Sequence, residues 1–399
     1  MKTAYIIDAL RTPVGKYGGT LASIRPDDLA ALVLKGIIAR NPNFPLDEVA
    51  DVILGAANQA GEDNRNVARM ALLLADLPTH IPGVTVNRLC ASGLQSIADA
   101  ARGIKSGEGQ AFIAGGTESM TRAPFVQAKN AGAWGRVPEM YDTTIGWRFT
   151  NARLSEKHYP FAMGETAENV ADEWGITREA QDVFAYNSQL KYQKAHEADR
   201  FNNELMPVSI PQRKGDPILF NKDEHPRLSP TDILAKLRPA FKKGGSVTAG
   251  NSSGINDGAA ALLLADEELV KTHDLKPMVR VVSAAAAGVS PHIMGIGPVP
   301  AVKKALKLAN LSIQDIDLFE LNEAFAAQSI ACMRDLELDP AKVNVNGGSI
   351  AIGHPLGCSG ARIATTLIHE MMKSDTAKYG IATMCVGVGQ GVAVVFEKV

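Results

Sequence analysis

Two of the four cysteines in this sequence lie in settings that suit thiol chemistry, and a histidine stands between them in the chain. Cys90 follows an apolar run that breaks into a helix-forming segment, so its sulfur is expected near a helix N-terminus, where backbone N–H groups favour a thiolate. Cys385 precedes glycines that allow a ligand to approach the backbone closely. His354 lies in a Gly-His-Pro turn. The pattern predicts an active site with two thiols.

Each of these residues also has a commoner structural use. A free cysteine is usually a small buried apolar side chain, which is the prediction for Cys332 and Cys358. His354 alone could be a hydrogen-bonded turn residue, and Asn322 could cap a following helix. The segment Gly387–Gly391 has the glycines of a nucleotide-binding loop, but the residues after it are typical of a strand. Without a following helix N-terminus to hold a phosphate, a dinucleotide site is not expected.

The composition describes an ordinary globular protein. The chain has 399 residues, 46% hydrophobic and 21% charged, with a formal net charge of −2. This length predicts two or three domains, and this charge gives no reason to expect a nucleic-acid partner. The cysteines lack C-x-x-C spacing and the histidines are scattered, so no metal site is expected. With no leader pattern and no apolar run of membrane-spanning length, a cytoplasmic protein without membrane contact is predicted.

Short apolar runs alternate with longer amphipathic segments, which is the pattern of an α/β fold. The predicted strands are Ala4–Ile7, Val52–Leu54, Gly83–Asn87, Ala111–Ala114, Ala259–Leu264, Val279–Ser283, Ile316–Glu320, Val343–Asn346, Gly380–Met384 and Val392–Phe396. The predicted helices are Asp27–Ala39, capped by its aspartate, Leu94–Ile104, Pro300–Ala309 and Gly360–Lys373.

The sequence also indicates an internal duplication. Asp47–Asn58 and Ile313–Asn322 share an acidic lead-in, an apolar strand and a final asparagine. Val84–Asn87 and Val343–Asn346 are similar too, and each leads to a Ser-Gly pair, a helix and an apolar strand that ends in glycines. These repeats predict two equivalent halves with reactive residues at matching strand ends, although any two α/β segments share some of this pattern.

The middle of the chain has a different texture, with all three tryptophans and fewer apolar strand runs. We therefore predict an inserted loop domain at residues 120–243. The N-terminal α/β half would comprise residues 1–119 and 244–272, and the C-terminal half residues 273–399. Because binding loops tend to extend from rigid scaffolds, substrate specificity is expected largely in the inserted domain.

Seven blocks, in order along the chain, resemble the thiolase family (acetyl-CoA C-acyltransferases). The blocks are Asn87-Arg-Leu-Cys-Ala-Ser-Gly93, Ala114-Gly-Gly-Thr-Glu-Ser-Met120, Val247-Thr-Ala-Gly-Asn251, Asn322-Glu-Ala-Phe-Ala326, Gly347-Gly348, Gly353-His-Pro-Leu-Gly357 and Cys385-Val-Gly-Val-Gly-Gln-Gly391. The resemblance implies a thiolase-like fold, in which two duplicated mixed-sheet α/β halves stack as five layers (αβαβα) with an inserted loop domain.

The resemblance also implies roles for five catalytic residues. Cys90 matches the nucleophile, which becomes acylated, and His354 matches the histidine that activates it. Cys385 matches the second cysteine, which exchanges protons with the leaving acetyl-CoA and the incoming CoA thiol. Asn322 would hold a water that, with His354, faces the thioester oxygen. Backbone N–H groups of Cys90 and Gly387 would face the oxygen of the tetrahedral intermediate.

Coenzyme A is then a substrate, and no permanently bound cofactor or metal is implied. The positions that match CoA contacts of the family are Arg227, Phe241, Ala249, Ser253, Met294, Ala324 and Phe325. The partners implied are a small-molecule acyl-CoA and further copies of the chain, as a homodimer or homotetramer.

A narrower resemblance concerns the substrate. Ala57–Arg69, Asp142–Phe149 and Cys385–Gln390 are similar to thiolases that cleave 3-oxoadipyl-CoA in aromatic-compound breakdown. A dicarboxylate would need a nearby cation, and the sequence offers Arg122, Arg148 or Arg153. Ala162 stands where family members acting on acetoacetyl-CoA often have histidine, which disfavours strict short-chain specificity.

The expected activity is thus a degradative thiolase that cleaves a 3-ketoacyl-CoA with CoA through acyl-Cys90. A biosynthetic acetoacetyl-CoA thiolase is the alternative within the family. A Cys-His-Asn hydrolase is a second alternative, which Cys385 disfavours because hydrolysis needs no second thiol. A non-catalytic acyl-CoA or lipid carrier on the same fold is the third.

Overall fold

A computed structural model describes residues 2–130 and 132–399 of the chain. Met1 and Ala131, which belong to the predicted N-terminal half and loop domain, lie outside the described residues. The strands are β1 Tyr5–Arg11, β2 Gly15–Lys16, β3 Val49–Gly55, β4 Gly83–Val86, β5 Ala111–Ser119, β6 Phe125–Gln127, β7 Met140–Asp142, β8 Val208–Ile210, β9 Ile218–Phe220, β10 Asn256–Ala265, β11 Val279–Gly288, β12 Leu318–Leu321, β13 Tyr379–Val386 and β14 Gln390–Lys398.

The α-helices are α1 Pro26–Arg40, α2 Val67–Leu74, α3 Ser92–Ser106, α4 Ala152–Lys157, α5 Met163–Glu173, α6 Arg178–Glu197, α7 Thr231–Leu234, α8 Glu267–Thr272, α9 Pro298–Ala309, α10 Ala326–Asp335, α11 Ser349–Ile352 and α12 Leu356–Lys373. Short 3₁₀ helices occupy Thr20–Ser23, Leu46–Glu48, Pro291–Ile296 and Ile313–Asp315.

The ten-stranded sheet consists of two mixed halves with the same strand order, called here the N-terminal and C-terminal sheets, which are joined at one edge. The N-terminal sheet runs β4-β3-β5-β10-β1, with β2 paired to β10, and the C-terminal sheet runs β12-β13-β14-β11. An isolated parallel bridge pairs Phe319 of β12 with Val343. The chain at Val343 is therefore a neighbour of β12 in the same way that β4 is a neighbour of β3. Strands β1 and β11 pair only through Tyr5 and Ile6, so this junction is narrow. The matching order is what the repeats in the sequence predict.

Helices α3 and α12 pack against each other between the two sheets and form the central layer. Alternate residues of β10 divide between two cores: Leu262 and Leu264 face this layer, while Leu263 faces the outer helices α1 and α2. The C-terminal sheet repeats the arrangement, since Val394 of β14 faces inward and Val395 faces α9 and α10. Alternate side chains of each strand thus face opposite layers, which produces the five predicted layers. The expected fold class is confirmed.

Most predicted strands and helices lie within observed elements, but two local expectations and one alternative interpretation are wrong. No strand forms over Val343–Asn346, because Asn344 adopts a φ of 46° and its side chain bonds both backbone groups of Leu321 instead. Asp27 does not cap α1, which begins at Pro26, whose ring pre-sets the helical φ. Asn322 caps no helix, since α10 begins at Ala326.

The region between the halves contains α4 to α7 and two antiparallel hairpins, β6–β7 and β8–β9. The domain boundaries given above stay a prediction. Among the helices of the described residues, none combines the length and the apolar character needed to cross a bilayer.

Candidate active site

Cys90 lies in a tight turn between β4 and α3, two residues before the helix begins. Leu89 has a φ of 47°, and its N–H donates to Asn87 Oδ1 at 2.8 Å. Ser92 accepts from the N–H of Arg88 at 2.9 Å and donates to the Leu89 carbonyl at 2.6 Å. These local bonds hold the thiol at the carboxyl end of the edge strand.

The thiol of Cys90 is protonated at rest. N–H groups of Gly387 and of Cys90 itself point at the sulfur and lower its pKa, but burial outweighs them and raises the pKa to about 11. The helix N-terminus was expected to favour a thiolate, but the net change in the pKa favours the neutral thiol. That expectation is therefore wrong. Attack by Cys90 needs a base that removes the proton.

The tip of the β13–β14 hairpin approaches the Cys90 turn closely. A Cβ atom on Gly387 would lie 3.2 Å from Leu89 Cδ1, which shows how closely the two segments pack. The side chain of Arg88 joins the same two segments, since its Nη1 donates to Gln390 Oε1 at 2.8 Å. Together these contacts aim the N–H of Gly387 at the sulfur of Cys90.

Cys385 lies on β13, two residues before the hairpin tip, and is buried. Burial raises the pKa of its thiol well above the ordinary value, and the nearby Cys90 thiol raises it further. The structure thus brings the two predicted cysteines together, both as neutral thiols.

His354 is buried in the turn before α12, and its backbone N–H donates to Asn256 Oδ1 at 2.9 Å. Its Nδ1 lies 2.6 Å from Ser359 Oγ, whose own proton goes to the Pro355 carbonyl at 2.7 Å. Ser359 can then only accept from His354, so Nδ1 carries the ring proton and Nε2 keeps its lone pair. Burial lowers the pKa of His354 to about 3. The imidazole is therefore neutral, with Nε2 available as a base.

Asn322 follows β12, and its Nδ2 lies 3.5 Å from His354 Nε2. Its Oδ1 accepts from Ser349 Oγ at 2.6 Å, and that hydroxyl in turn accepts from Arg362 Nη2. Because arginine only donates, the Ser349 proton must point to Asn322 Oδ1, which fixes the amide with its NH₂ toward His354. Arg362 is fully buried, and its Nη1 lies 3.7 Å from Glu320 Oε2. The hydrogen bonds that orient the Asn322 amide therefore lie inside the protein.

Close packing of α3 on α12 brings the cysteine and histidine turns to the same end of the central layer. A Cβ on Gly93 would lie 2.7 Å from the Ala361 nitrogen and 2.8 Å from the Gly357 carbonyl. Only a helix without a side chain there can approach so closely. The helices begin just after Cys90 and His354, so their N-termini share this end of the layer.

Five of the seven positions predicted for CoA form a linked group next to Cys385. Met294, Ala324 and Phe325 share one apolar cluster with that cysteine. The ring of Phe241 stands edge-on to Phe325, with centroids 6.2 Å apart.

Of the other three CoA positions, Ser253 connects to this cluster through the backbone, while Arg227 and Ala249 contact each other. The N–H of Ser253 donates to the Ala324 carbonyl at 3.0 Å. Arg227 Nη2 donates to the Ala249 carbonyl at 2.8 Å, and both line a cavity of about 290 Å³. A larger cavity of about 710 Å³ lies between α6 and α10, and no predicted catalytic residue lines it.

The sequence did not single out the residues that hold these groups in place, namely Asn256, Ser349, Ser359, Arg362 and Glu118. The buried Glu118 carboxylate accepts from N–H groups of Ala57 at 2.9 Å, Asn58 at 3.3 Å and Gly357 at 2.7 Å. Burial raises its pKa to about 7. Glu118 lies in one of the seven blocks, but only the fold reveals that it ties the His354 turn to the end of β3.

Two thiols, a neutral imidazole whose Nε2 keeps its lone pair, and backbone N–H donors suit covalent acyl transfer. Within residues 2–130 and 132–399, no group of three or more histidine, cysteine, aspartate or glutamate side chains is placed to hold a metal ion.

Comparison with known proteins agrees with this chemistry. The thiolase N-terminal domain model matches residues 4–268, and the thiolase C-terminal domain model matches residues 275–398. Over the full length of both proteins, the chain is 54% identical to a beta-ketoadipyl-CoA thiolase of Acinetobacter baylyi. It is 51% identical to the 3-oxoadipyl-CoA/3-oxo-5,6-dehydrosuberyl-CoA thiolase of Escherichia coli, again with both chains fully covered.

A solved structure shares the fold closely. The acetyl-CoA acetyltransferase of Bacillus anthracis superposes with a TM-score of 0.94 at 42% identity, over 100% of this chain and 99% of that one. With both family models matched and full-length relatives above half identity, the chain belongs to the thiolase family and is an acyltransferase that uses coenzyme A as a substrate.

Proposed function

We propose that this protein is a degradative thiolase that cleaves 3-oxoadipyl-CoA with CoA, giving acetyl-CoA and succinyl-CoA through acyl-Cys90. The observation that carries the proposal is the pair of neutral thiols, Cys90 and Cys385, at the same end of the central layer as a histidine whose Nε2 can accept a proton. The full-length relatives named for 3-oxoadipyl-CoA support the choice of substrate.

In the first half-reaction, His354 Nε2 takes the proton of Cys90 as the sulfur attacks the ketone carbon. The N–H groups of Cys90 and Gly387 stabilise the resulting oxyanion. The carbon–carbon bond then breaks, and its electron pair leaves with acetyl-CoA as an enolate. Cys385 donates its proton to that carbon, which leaves succinyl-Cys90 and a Cys385 thiolate.

In the second half-reaction, the Cys385 thiolate removes the proton of an incoming CoA thiol. The CoA sulfur attacks the thioester, succinyl-CoA leaves, and the Cys90 sulfur recovers its proton from His354. The neutral resting state returns, and all protons are accounted for. No water is consumed, which separates this cycle from that of a hydrolase.

The enolate oxygen needs its own donors. Once protonated, His354 Nε2–H can donate, and a water held by the Asn322 amide completes the pair. Ser349 fixes that amide, so we propose that it is a positioning residue for the carbon-bond-breaking step.

Two serines allow these roles to be separated by mutation. Ser349→Ala leaves the Asn322 amide free to rotate. We expect kcat for thiolysis to fall about tenfold, which corresponds to the loss of one hydrogen bond. The rate at which iodoacetamide alkylates Cys90 should change little. Ser359→Ala removes the acceptor for His354 Nδ1–H and should slow that alkylation, because the base loses its fixed tautomer. Equal slowing of alkylation in both variants would contradict the assignment.

The substrate is tested by comparing 3-oxoadipyl-CoA with 3-oxohexanoyl-CoA, which has the same chain length without the carboxylate, and with acetoacetyl-CoA. We expect kcat/KM at least about tenfold higher for the dicarboxylate, the discrimination that one charged contact provides. The measurement is the rate of acetyl-CoA formation at fixed CoA. A preference for acetoacetyl-CoA would instead favour the biosynthetic activity that the Bacillus anthracis relative's name suggests.

We also propose a homo-oligomer located in the cytoplasm, with the three domains bounded as predicted above. Large apolar side chains in the loop domain support association, since Phe125 is 67% exposed, Trp134 92% and Val137 85%. Light scattering after size exclusion gives the state directly, and a monomer at micromolar concentration would contradict the oligomer.

A further inference from the structure

The three arginines that the sequence offers for a dicarboxylate substrate have different environments. Arg122 already pairs with a carboxylate, with its Nε 2.5 Å and its Nη2 2.7 Å from the oxygens of Glu62. Arg153 is exposed, and its guanidinium bonds no described residue. Arg148 is half-buried, and its Nη2 donates to the carbonyl and Oδ1 of Asn58 at 3.3 and 2.9 Å. Of these three arginines, only Arg148 is both partly buried and hydrogen-bonded to uncharged groups rather than to a carboxylate.

The partner of Arg148 borders the Cys90 turn. Asn58 follows Ala57, whose carbonyl accepts from Asn87 Nδ2 at 2.9 Å. Asn87 in turn accepts the N–H of Leu89, the residue before Cys90. The Arg148 guanidinium is therefore connected to the nucleophile's turn through one backbone segment.

The arginine's own segment also packs toward the β13–β14 hairpin tip. Trp147 Nε1 donates to the Phe161 carbonyl at 3.0 Å, which draws this segment onto the start of α5. There the Met163 sulfur would lie 3.5 Å from a Cβ on Gly387. Arg148 thus lies between a segment that bonds to the Cys90 turn and a segment that leads to Met163, near Gly387.

We propose that Arg148 binds the free carboxylate at the far end of the acyl chain and so sets the preference for a dicarboxylate, an inference that rests on the proposed function. In succinyl-Cys90 only two methylene groups separate the thioester from that carboxylate, so its cation must stand close to the nucleophile. Within the described part of the chain, no acidic side chain lies within ion-pair distance of Arg148. Its charge is available, and partial burial strengthens its attraction for a carboxylate.

The test compares Arg148→Gln with the matched control Arg153→Gln, an exposed arginine of the same region. Each is assayed with 3-oxoadipyl-CoA and with 3-oxohexanoyl-CoA. We expect Arg148→Gln to lower kcat/KM for the dicarboxylate about 30- to 100-fold, the loss of a charge-assisted pair, and to change kcat/KM for the neutral chain less than about threefold. Arg148→Lys should recover part of the loss by restoring the charge, and Arg153→Gln should change neither substrate.

An equal fall for both substrates in Arg148→Gln would overturn the proposal, because it would indicate a structural role. An unchanged preference would overturn it too. Failure of the proposed function appears separately, in the wild-type protein: if that protein does not prefer 3-oxoadipyl-CoA, the substrate is wrong before any variant is measured.

Discussion

Replacement of Cys90 by serine is expected to lower kcat for thiolysis by at least about 10⁴-fold, as removal of a catalytic nucleophile does in other enzymes. The hydroxyl keeps the size of the side chain but cannot form the thioester through which the acyl group passes to CoA. A serine oxygen ester would also react slowly with the CoA thiol. The rate is measured as acetyl-CoA released from 3-oxoadipyl-CoA.

The control for this variant is Cys332→Ala, a cysteine of the outer core whose Sγ contacts the Gly295 carbonyl. It should keep kcat within about threefold of the wild-type value, since exchange of a buried thiol for a methyl group affects stability more than chemistry. A Cys90→Ser protein that retains a tenth of the wild-type rate would mean that another group carries the acyl chain.

Replacement of Cys385 by alanine is expected to have the second-largest effect, a fall of about 10³-fold in thiolysis, which is within the range of a general acid–base group. The carbanion released from the ketoacyl chain must be protonated at carbon, and this needs an acid held in place. Transfer of a succinyl group from succinyl-CoA to Cys90 expels a thiolate instead, which leaves more easily. We therefore expect the rate of this acyl transfer to fall much less than the rate of thiolysis.

The two reactions are followed on the same protein, thiolysis by product formation and acyl transfer by the mass of the protein. Equal losses in both would contradict a separate role for Cys385 and would suggest that alanine disturbs Cys90 itself. Cys385→Ser is the companion variant, because it retains a weak acid at the site and should lie between alanine and the wild type.

Much of the fold could be predicted because apolar periodicity follows burial directly. The run at Gly380–Met384 lies within β13, since every residue from Gly380 to Val386 is buried. Val343–Asn346 has a similar pattern but no strand. There the side chain of Asn344 bonds to the backbone of Leu321 in place of the backbone bonds that a strand would form. The apolar periodicity of a sequence does not reveal such side-chain bonds.

The candidate site was predictable in its reactive groups but not in their support. The position of Cys90 before a helix was foreseen, whereas its raised pKa comes from burial that only the folded chain produces. Arg362 and Ser349 are distant from Asn322 in sequence, and only packing of the central layer brings them together. The choice of Arg148 among three arginines likewise required the contacts that neutralise Arg122.

The central claim is that an acyl group passes through Cys90 on its way to CoA, and the mass of the intact protein tests it most directly. The protein is mixed with 3-oxoadipyl-CoA in the absence of free CoA, digested to locate any adduct, and then supplied with CoA. The account predicts a succinyl group on Cys90 that CoA removes as succinyl-CoA. Turnover with an unmodified Cys90, or loss of the adduct at the same rate without CoA, would contradict it.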